Sequence, residues 1–472
     1  MDRVRYRVVF KYLGGVLMVM AAAYGTTSLA ALFAGESSAL FYAGCGVLFA
    51  VLGRRLYSSV PEREVTALDA AATASLSFLL ASVAGAPPFV FLSSMPVLDA
   101  WFESMSGFTT TGFTLLDVET APASILFHRA LSQWIGGMGF VAVTVSLLLV
   151  SGRPALMLLK DEVKEGEKIF PRIATHVQTV VFTYLAVTAV STALLLACGA
   201  GLFNALCYTM AGVSTGGFAV HAGGAGELGD GAAAALTLIM CLGAVNFILY
   251  GRAWAAGRGG RAPAAAVLLA VASDRQVLLL VGLALACAAL IAAGSGAGFW
   301  ESLFITFSAQ TTTGYQRMEP AAFGPLGVTV LTAAMFVGGS MGSTSGGIKL
   351  VRLGWIVRSI AERLRYEQYP AEVVMPGKQE RAARQTASVF HVTALYAFFI
   401  VISAVVFVAA GFEPSAAFFE VTSAAGTVGL SSGIVSPQLP PALKGVLIFL
   451  MWAGRLEFLP VLVWLASLAP RR

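Results

Sequence analysis

Four short clusters of threonine, serine and glycine hold the densest chemistry in this 472-residue chain. They are Thr109-Thr110-Thr111-Gly112-Phe113, Val213-Ser214-Thr215-Gly216-Gly217, Thr311-Thr312-Thr313-Gly314-Tyr315 and Gly426-Thr427-Val428-Gly429-Leu430. None pairs a nucleophile with a base or spaces metal ligands. What they supply is oxygen: threonine hydroxyls, and carbonyls on a backbone that glycine frees to adopt unusual dihedrals. Aligned on Gly112, Gly216, Gly314 and Gly429, the clusters share an upstream apolar position (Phe102, Leu206, Phe304, Phe419) and then a small one (Gly107, Ala211, Ala309, Ala424). A further glycine follows each at nearly equal separation: Gly137, Gly243, Gly339 and Gly454. One cluster alone reads as a turn, whereas four with shared landmarks read as an internal repeat.

The remaining chemistry-bearing residues argue against other functions. The five cysteines are scattered through apolar stretches, so neither a disulfide framework nor a zinc site follows. The four histidines stand far apart, which disfavours an intramembrane enzyme, and no nucleotide-binding signature occurs. No basic stripe is interleaved with aromatics, so no nucleic-acid partner is expected. The composition is 57% hydrophobic and 12% charged, against about 25% charged in soluble domains, with a mean hydropathy of +0.80. These values predict a polytopic membrane protein.

About 20 apolar residues cross a bilayer, and ten runs qualify: 12–34, 38–53, 66–92, 124–151, 174–199, 232–251, 276–294, 325–351, 386–410 and 445–468. The first run exceeds a signal-peptide core and is read as a retained helix. Basic residues sort the connections. Arg54, Arg55 and Arg63, the segment from Arg153 to Arg172, Arg252 to Arg275, Arg352 to Arg384, and Arg471 with Arg472 fall on the side of the basic N-terminus. The positive-inside rule then puts both termini in the cytoplasm.

The expected fold is an all-α polytopic membrane protein with ten spanning helices. Two extra helices fill residues 1–64. The last eight form four pseudo-repeats of helix, pore helix, filter loop and helix around one pore: 65–152, 173–252, 275–352 (with an intramembrane loop) and 385–470. Irregular backbone survives at membrane depth only where it is buried in protein or lines a water-filled cavity. Four re-entrant loops around one axis make rings of oxygens that replace a cation's hydration shell, an arrangement that favours potassium. The oxygens are assigned to Thr110, Thr111, Gly112; Ser214, Thr215, Gly216; Thr312, Thr313, Gly314; and Thr427, Val428, Gly429.

With these motifs the chain resembles the superfamily of potassium transporters that includes TrkH, KtrB and the plant HKT proteins, and its two extra N-terminal helices resemble TrkH. In that superfamily, serine at the first filter glycine goes with sodium transport; glycine at all four positions here implies potassium selectivity. The resemblance implies gated, channel-like potassium uptake across a bacterial inner membrane, with no cofactor on this chain. It also implies a homodimer that docks a cytoplasmic TrkA-like subunit binding NADH or ATP. The basic stretches Lys160–Arg172 and Arg352–Arg384 are either that docking surface or a contact with anionic lipid.

The eighth run is interrupted by Gly338, Gly339, Ser340, Gly342, Ser343, Thr344, Ser345, Gly346 and Gly347, ending at Lys349. Mid-helix glycine costs about 1 kcal/mol each relative to alanine, so the stretch reads as an unwound loop below the filter or as close packing of small residues. It resembles the superfamily's gating loop. Arg455, inside the last run, is expected to face the bundle interior, and a matching arginine in TrkH proteins helps hold the gate shut. Glu457, two residues on, cannot share its helix face and needs another partner. Asp99, Glu103, Glu301 and Glu420 are expected to cap the pore helices or, with Asp117, Glu119, Glu227, Asp230 and Glu319, to form a negative vestibule. The driving force is read as the membrane potential, about 2.3 kcal/mol per charge per 100 mV. The alternatives are proton- or sodium-coupled potassium symport, with Asp69 the candidate coupling residue, and a sodium-permeable transporter.

Overall fold

The computed structural model describes residues 4–59, 65–151, 173–257, 263–368 and 376–469. The basic segment Lys160–Arg172 lies outside them, as does part of Arg352–Arg384. The described residues are helical, with no strand among them. Seven helices are long and apolar enough to cross a membrane, or nine if each of two bent pairs counts as one span. Apolar side chains on most of these helices face outward; Phe33, Leu40, Leu268 and Val405 are all well exposed. Lipid is the solvent that accepts such a surface.

The helix Tyr6–Phe33 packs along Ala39–Ser58. Gly14 and Gly53 meet at the crossing, where a Cβ on either would lie 2.8 Å from the other's carbonyl oxygen. Such small-residue contacts let helix backbones approach in lipid, where no hydrophobic force drives association. Asp69 starts the next helix, Ala67–Gly85, in a capping box with Thr66. Its carboxylate also accepts from the Arg5 backbone and guanidinium at 2.5–2.9 Å. The coupling candidate is thus bound at a helix N-terminus.

Four short helices interrupt the long ones: Val97–Phe108, Leu202–Val213, Phe299–Gln310 and Pro414–Ala425, each of 12 residues. Each is amply buried and runs into one of the Thr/Gly clusters. The helices that follow are bent or stopped in three of the four cases. Asp230–Ala244 turns by 88° into Phe247–Trp254, and Pro441–Arg455 turns by 110° into Leu459–Leu468. Runs 232–251 and 445–468 are therefore not straight spans. Gly324–Val337 ends in the glycine-rich segment before Leu350–Gln368 resumes. Only the first such helix, Ala123–Ser151, continues without a break.

The downstream glycines explain how closely these layers pack. A Cβ on Gly136 would lie 2.0 Å from the Phe108 carbonyl oxygen, on Gly243 2.6 Å from that of Val213, and on Gly454 2.1 Å from that of Ala425. Each carbonyl belongs to the last residue of a short helix. The first of these glycines is Gly136 and not Gly137, which packs on Ser214. Gly339 departs from the pattern and faces Ser345, because the glycine-rich segment occupies that place. Replacing Gly454 by alanine should lower stability by about 1–3 kcal/mol, the usual cost of overpacking. Gly46→Ala, where the nearest atom is 3.4 Å away, should be close to neutral; thermal unfolding in detergent distinguishes the two.

Candidate functional site

All four short helices end in the same way. After Phe108, the Thr110 amide donates to the Gly107 carbonyl and the Thr111 amide to the Ser106 carbonyl, both at 2.9 Å. The same pair of bonds recurs at Thr215 and Gly216, Thr312 and Thr313, and Thr427 and Val428. This pattern closes a helix with one left-handed residue, a position usually held by glycine. Here threonine holds it every time, at φ of 53°, 53°, 57° and 50° for Thr110, Thr215, Thr312 and Thr427. A β-branched residue there is an outlier, strained by about 1–3 kcal/mol, and such strain gathers at functional sites.

Two residues after each threonine stands a left-handed glycine: Gly112, Gly217, Gly314 and Gly429, at φ between 78° and 95°. This corrects the register of the second cluster. Gly217 is the equivalent of Gly112, Gly216 that of Thr111, and Ser214 that of Thr109; the triplet is Thr215-Gly216-Gly217, one residue later than expected.

These glycines touch in a closed cycle. A Cβ on Gly112 would lie 2.3 Å from the Gly216 carbonyl oxygen, and one on Gly217 2.0 Å from that of Thr313. One on Gly314 would lie 1.9 Å from that of Val428, and one on Gly429 2.0 Å from that of Thr111. Each loop presses a bare Cα against the next loop's carbonyl, and the fourth returns to the first. A cavity of about 390 Å³ opens on one side of the ring, lined by the four glycines and by Asp117, Glu319, Arg129 and His221 among others.

Buried polar groups hold the loops from behind. Ser106 Oγ accepts from the Gly112 amide and Ser423 Oγ from the Gly429 amide, each at 3.1 Å. Glu103 accepts from Thr114 Oγ1 at 2.9 Å and from the Leu115 amide at 2.8 Å, and pairs with Arg129 at 2.9 Å. Arg129 also donates to the Ala219 carbonyl and lies 4.0 Å from the Phe218 ring centroid, which ties the first loop to the second. In the fourth repeat, Glu420 accepts from Ser431, Ser432 and Val435. Gln133 was not marked by sequence reasoning. Its side-chain amide donates to the Gly216 carbonyl at 2.6 Å and accepts from the Phe218 amide at 3.0 Å. A polar residue in an otherwise apolar run was the available signal.

Of the four acidic residues expected at the helix starts, Asp99 and Glu301 stand in first turns, where they complement the dipole, while the N-cap positions themselves hold Pro96, Gly201, Gly298 and Glu413, whose side chain accepts from the Ala416 amide. Asp99 pairs with Lys444 at 2.5 Å, while Arg317 bridges Asp230 at 2.8 Å and Glu301 at 3.6 Å. Glu119 and Glu227 accept from backbone amides. Asp117 and Glu319 are the carboxylates that line the cavity.

On the other side of the ring lies the segment from Gly338 to Lys349. Its backbone is irregular, with positive φ at Gly338, Gly342, Gly347 and Lys349, and many of its polar groups find partners in protein, although the Ser340 hydroxyl is buried without one among the described residues. Thr344 Oγ1 donates to the carbonyl of Val213 or Gly243, 3.0 and 2.9 Å away. The Gly346 amide donates to Thr312 Oγ1 at 2.7 Å, and a Cβ there would lie 2.0 Å from the Gly426 carbonyl oxygen. Gln310 donates to the Gly338 carbonyl at 2.6 Å, the Ser340 amide to that of Ala244, and Ser343 to that of Ser340. Lys349 Nζ turns back onto the Ser345 carbonyl. Arg455, buried at the end of its helix, donates to the Thr344 carbonyl at 2.6 Å. Glu457 finds its separate partner in Arg352. The segment thus sits directly against three of the four loops or the helices feeding them.

Comparison with known proteins identifies the family and the fold. Residues 41–471 match the TrkH family, described as cation transport protein. An uncharacterized cation transporter of Methanocaldococcus jannaschii is 28% identical over 97% of this chain and 94% of its own length. The Trk system potassium uptake protein TrkH of Escherichia coli K12 is 27% identical over 80% of this chain and 81% of its own. The crystal structure of the potassium transporter TrkH from Vibrio parahaemolyticus superposes with a TM-score of 0.84 at 24% identity, covering 99% of both chains.

Breaking a buried ion pair from one side costs about 3–5 kcal/mol because the remaining charge stays buried. Arg129→Met should therefore lower the thermal unfolding temperature sharply, and the double variant with Glu103→Gln should recover part of the loss. Equal stability of the two variants would exclude the coupling.

Proposed function

The chain belongs to the TrkH family of cation transport proteins, and from that premise we propose that it is a potassium-uptake protein whose ion path runs through the four Thr/Gly loops. It is a transporter and not an enzyme. The observation that carries the proposal is the closed cycle of left-handed glycines against neighbouring carbonyls. Such a cycle gathers backbone carbonyls of four loops around one axis, the kind of arrangement that can replace water around a dehydrated cation. Glycine at all four left-handed positions, Gly112 included, supports potassium over sodium, since the superfamily's sodium carriers have serine at the first.

In this reading the oxygens come from Thr110, Thr111, Gly112, then Thr215, Gly216 and Gly217, then Thr312, Thr313, Gly314, then Thr427, Val428 and Gly429. Of the left-handed threonines, Thr312 and Thr427 meet the Gly338–Lys349 segment at Gly346, and two of the four hydroxyls, on Thr110 and Thr427, are buried without a partner among the described residues. The segment acts as the gate. It sits across the inner end of the path, and Arg455 on the Thr344 carbonyl adds a positive charge there. Opening requires the Thr344 and Gly346 bonds to release together.

The reading includes ten spans: the nine counted with bent pairs and the 29-residue helix Ala123–Ser151. It places both termini in the cytoplasm of a cell whose inner membrane potential drives uptake. A homodimer and a TrkA-like subunit binding NADH or ATP follow from the family resemblance, and the word system in the relatives' names fits a partner. Proton or sodium coupling draws no support from Asp69, which Arg5 and its own helix N-terminus hold.

Cation flux into proteoliposomes of the purified chain, under an imposed inside-negative potential, tests the proposal. Potassium-preferring flux without a proton gradient is expected, and flux that requires a proton or sodium gradient would overturn the uncoupled mechanism. Gly112→Ser should admit sodium, measured as a lower K⁺/Na⁺ permeability ratio. Arg455→Ala should raise basal flux at unchanged selectivity; unchanged flux would remove Arg455 from the gate.

A further inference from the structure

The four loops are not braced alike. In the first and fourth, a serine on the short helix, Ser106 or Ser423, accepts from the amide of the left-handed glycine. The second loop has Ala211 at that position, so its own helix offers no hydroxyl. It also carries Gly216 where the other loops carry Thr111, Thr313 or Val428, so the space behind it is open. Gln133 fills that space: a Cβ on Gly216 would lie 2.4 Å from the Gln133 amide carbon. The side chain is fully buried and reaches the loop from the helix of the preceding repeat. At the corresponding place, three residues before Gly243 and Gly454, stand Met240 and Met451, and the third repeat has Met335 four residues before Gly339. These thioethers cannot make the amide's paired donor and acceptor contacts.

We propose that Gln133 is a positioning residue for the ion path: its amide holds the Gly216 carbonyl and the Phe218 amide, and so sets the width of the ring where Gly112 rests on that carbonyl. The inference rests on the reading that cations pass the four loops. A carbonyl that also accepts a 2.6 Å hydrogen bond is tethered and partly committed, so the second loop contributes a stiffer and weaker oxygen than its neighbours. Removing the tether frees the loop where it has least support, and the ring then adapts more readily to a smaller ion.

The test uses the full chain in proteoliposomes, with potassium and sodium permeability measured separately. Gln133→Glu keeps size and shape but replaces the donor facing Gly216 with an acceptor, and Gln133→Met restores the side chain of the other repeats. Both are expected to lower the K⁺/Na⁺ permeability ratio severalfold. Adding Ala211→Ser to Gln133→Met supplies the missing hydroxyl and is expected to recover part of the ratio. A merely structural role would lower total flux at a constant ratio. That result, a wild-type ratio in Gln133→Glu, or loss of the folded protein in this isosteric variant would overturn the proposal. If the wild-type chain itself passes no potassium, the underlying reading fails instead.

Discussion

An irregular stretch of backbone can stand at membrane depth only where it is buried in protein or lines a water-filled cavity. The rest of this molecule is arranged around that requirement. The four short helices end in left-handed threonines, where the chain leaves the helix at once and continues as a non-helical loop. The left-handed glycines follow because the next loop's carbonyl oxygen occupies the place of a side chain. Neither feature is stable in isolation, and each loop's geometry is set by the one beside it.

The same requirement governs the break on the inner side. Gly338–Lys349 has no helix ladder of its own, so it borrows carbonyls from Val213, Gly243 and Ala244, a hydroxyl from Thr312 and side-chain amides from Gln310 and Gln276. Its stability is therefore the stability of its contacts with the loops. In the proposed gating role, that coupling would tie the position of the segment to the arrangement of the loops. The helix breaks at Val245 and Leu456 adjoin the segment: the Ala244 carbonyl and the Phe247 amide bond to Ser340 and Gly342, and Arg455 bonds to Thr344. Seven of the eight described non-glycine residues with positive φ fall in the loops or beside these breaks.

Charge is handled by pairing. Glu103 with Arg129, Asp99 with Lys444 and Glu457 with Arg352 join elements distant in sequence. Buried pairs of this kind add little net stability over apolar packing, but a lone member is costly. Glu103 and Glu420 occupy matching places on the first and fourth short helices, and both hold the chain that leaves the ring.

The sequence by itself determined the membrane setting, the four oxygen-bearing clusters and the interrupted eighth run, which composition, period and local glycine content carry without reference to distant contacts; the family followed from the resemblance of those motifs. It also required a separate partner for Glu457, because residues two apart on a helix diverge. What it left open depended on neighbours. With two adjacent glycines, Gly216-Gly217, local pattern admits two registers, and only contact with Thr313 selects the second. Gly136 and Gly137 are likewise equivalent until one meets the Phe108 carbonyl. The acidic residues read equally well as caps until Arg129, Lys444 and Arg317 arrive from elsewhere. Gln133 stood in an apolar helix with no motif around it, and only the packing of that helix against the second loop gives its amide a task.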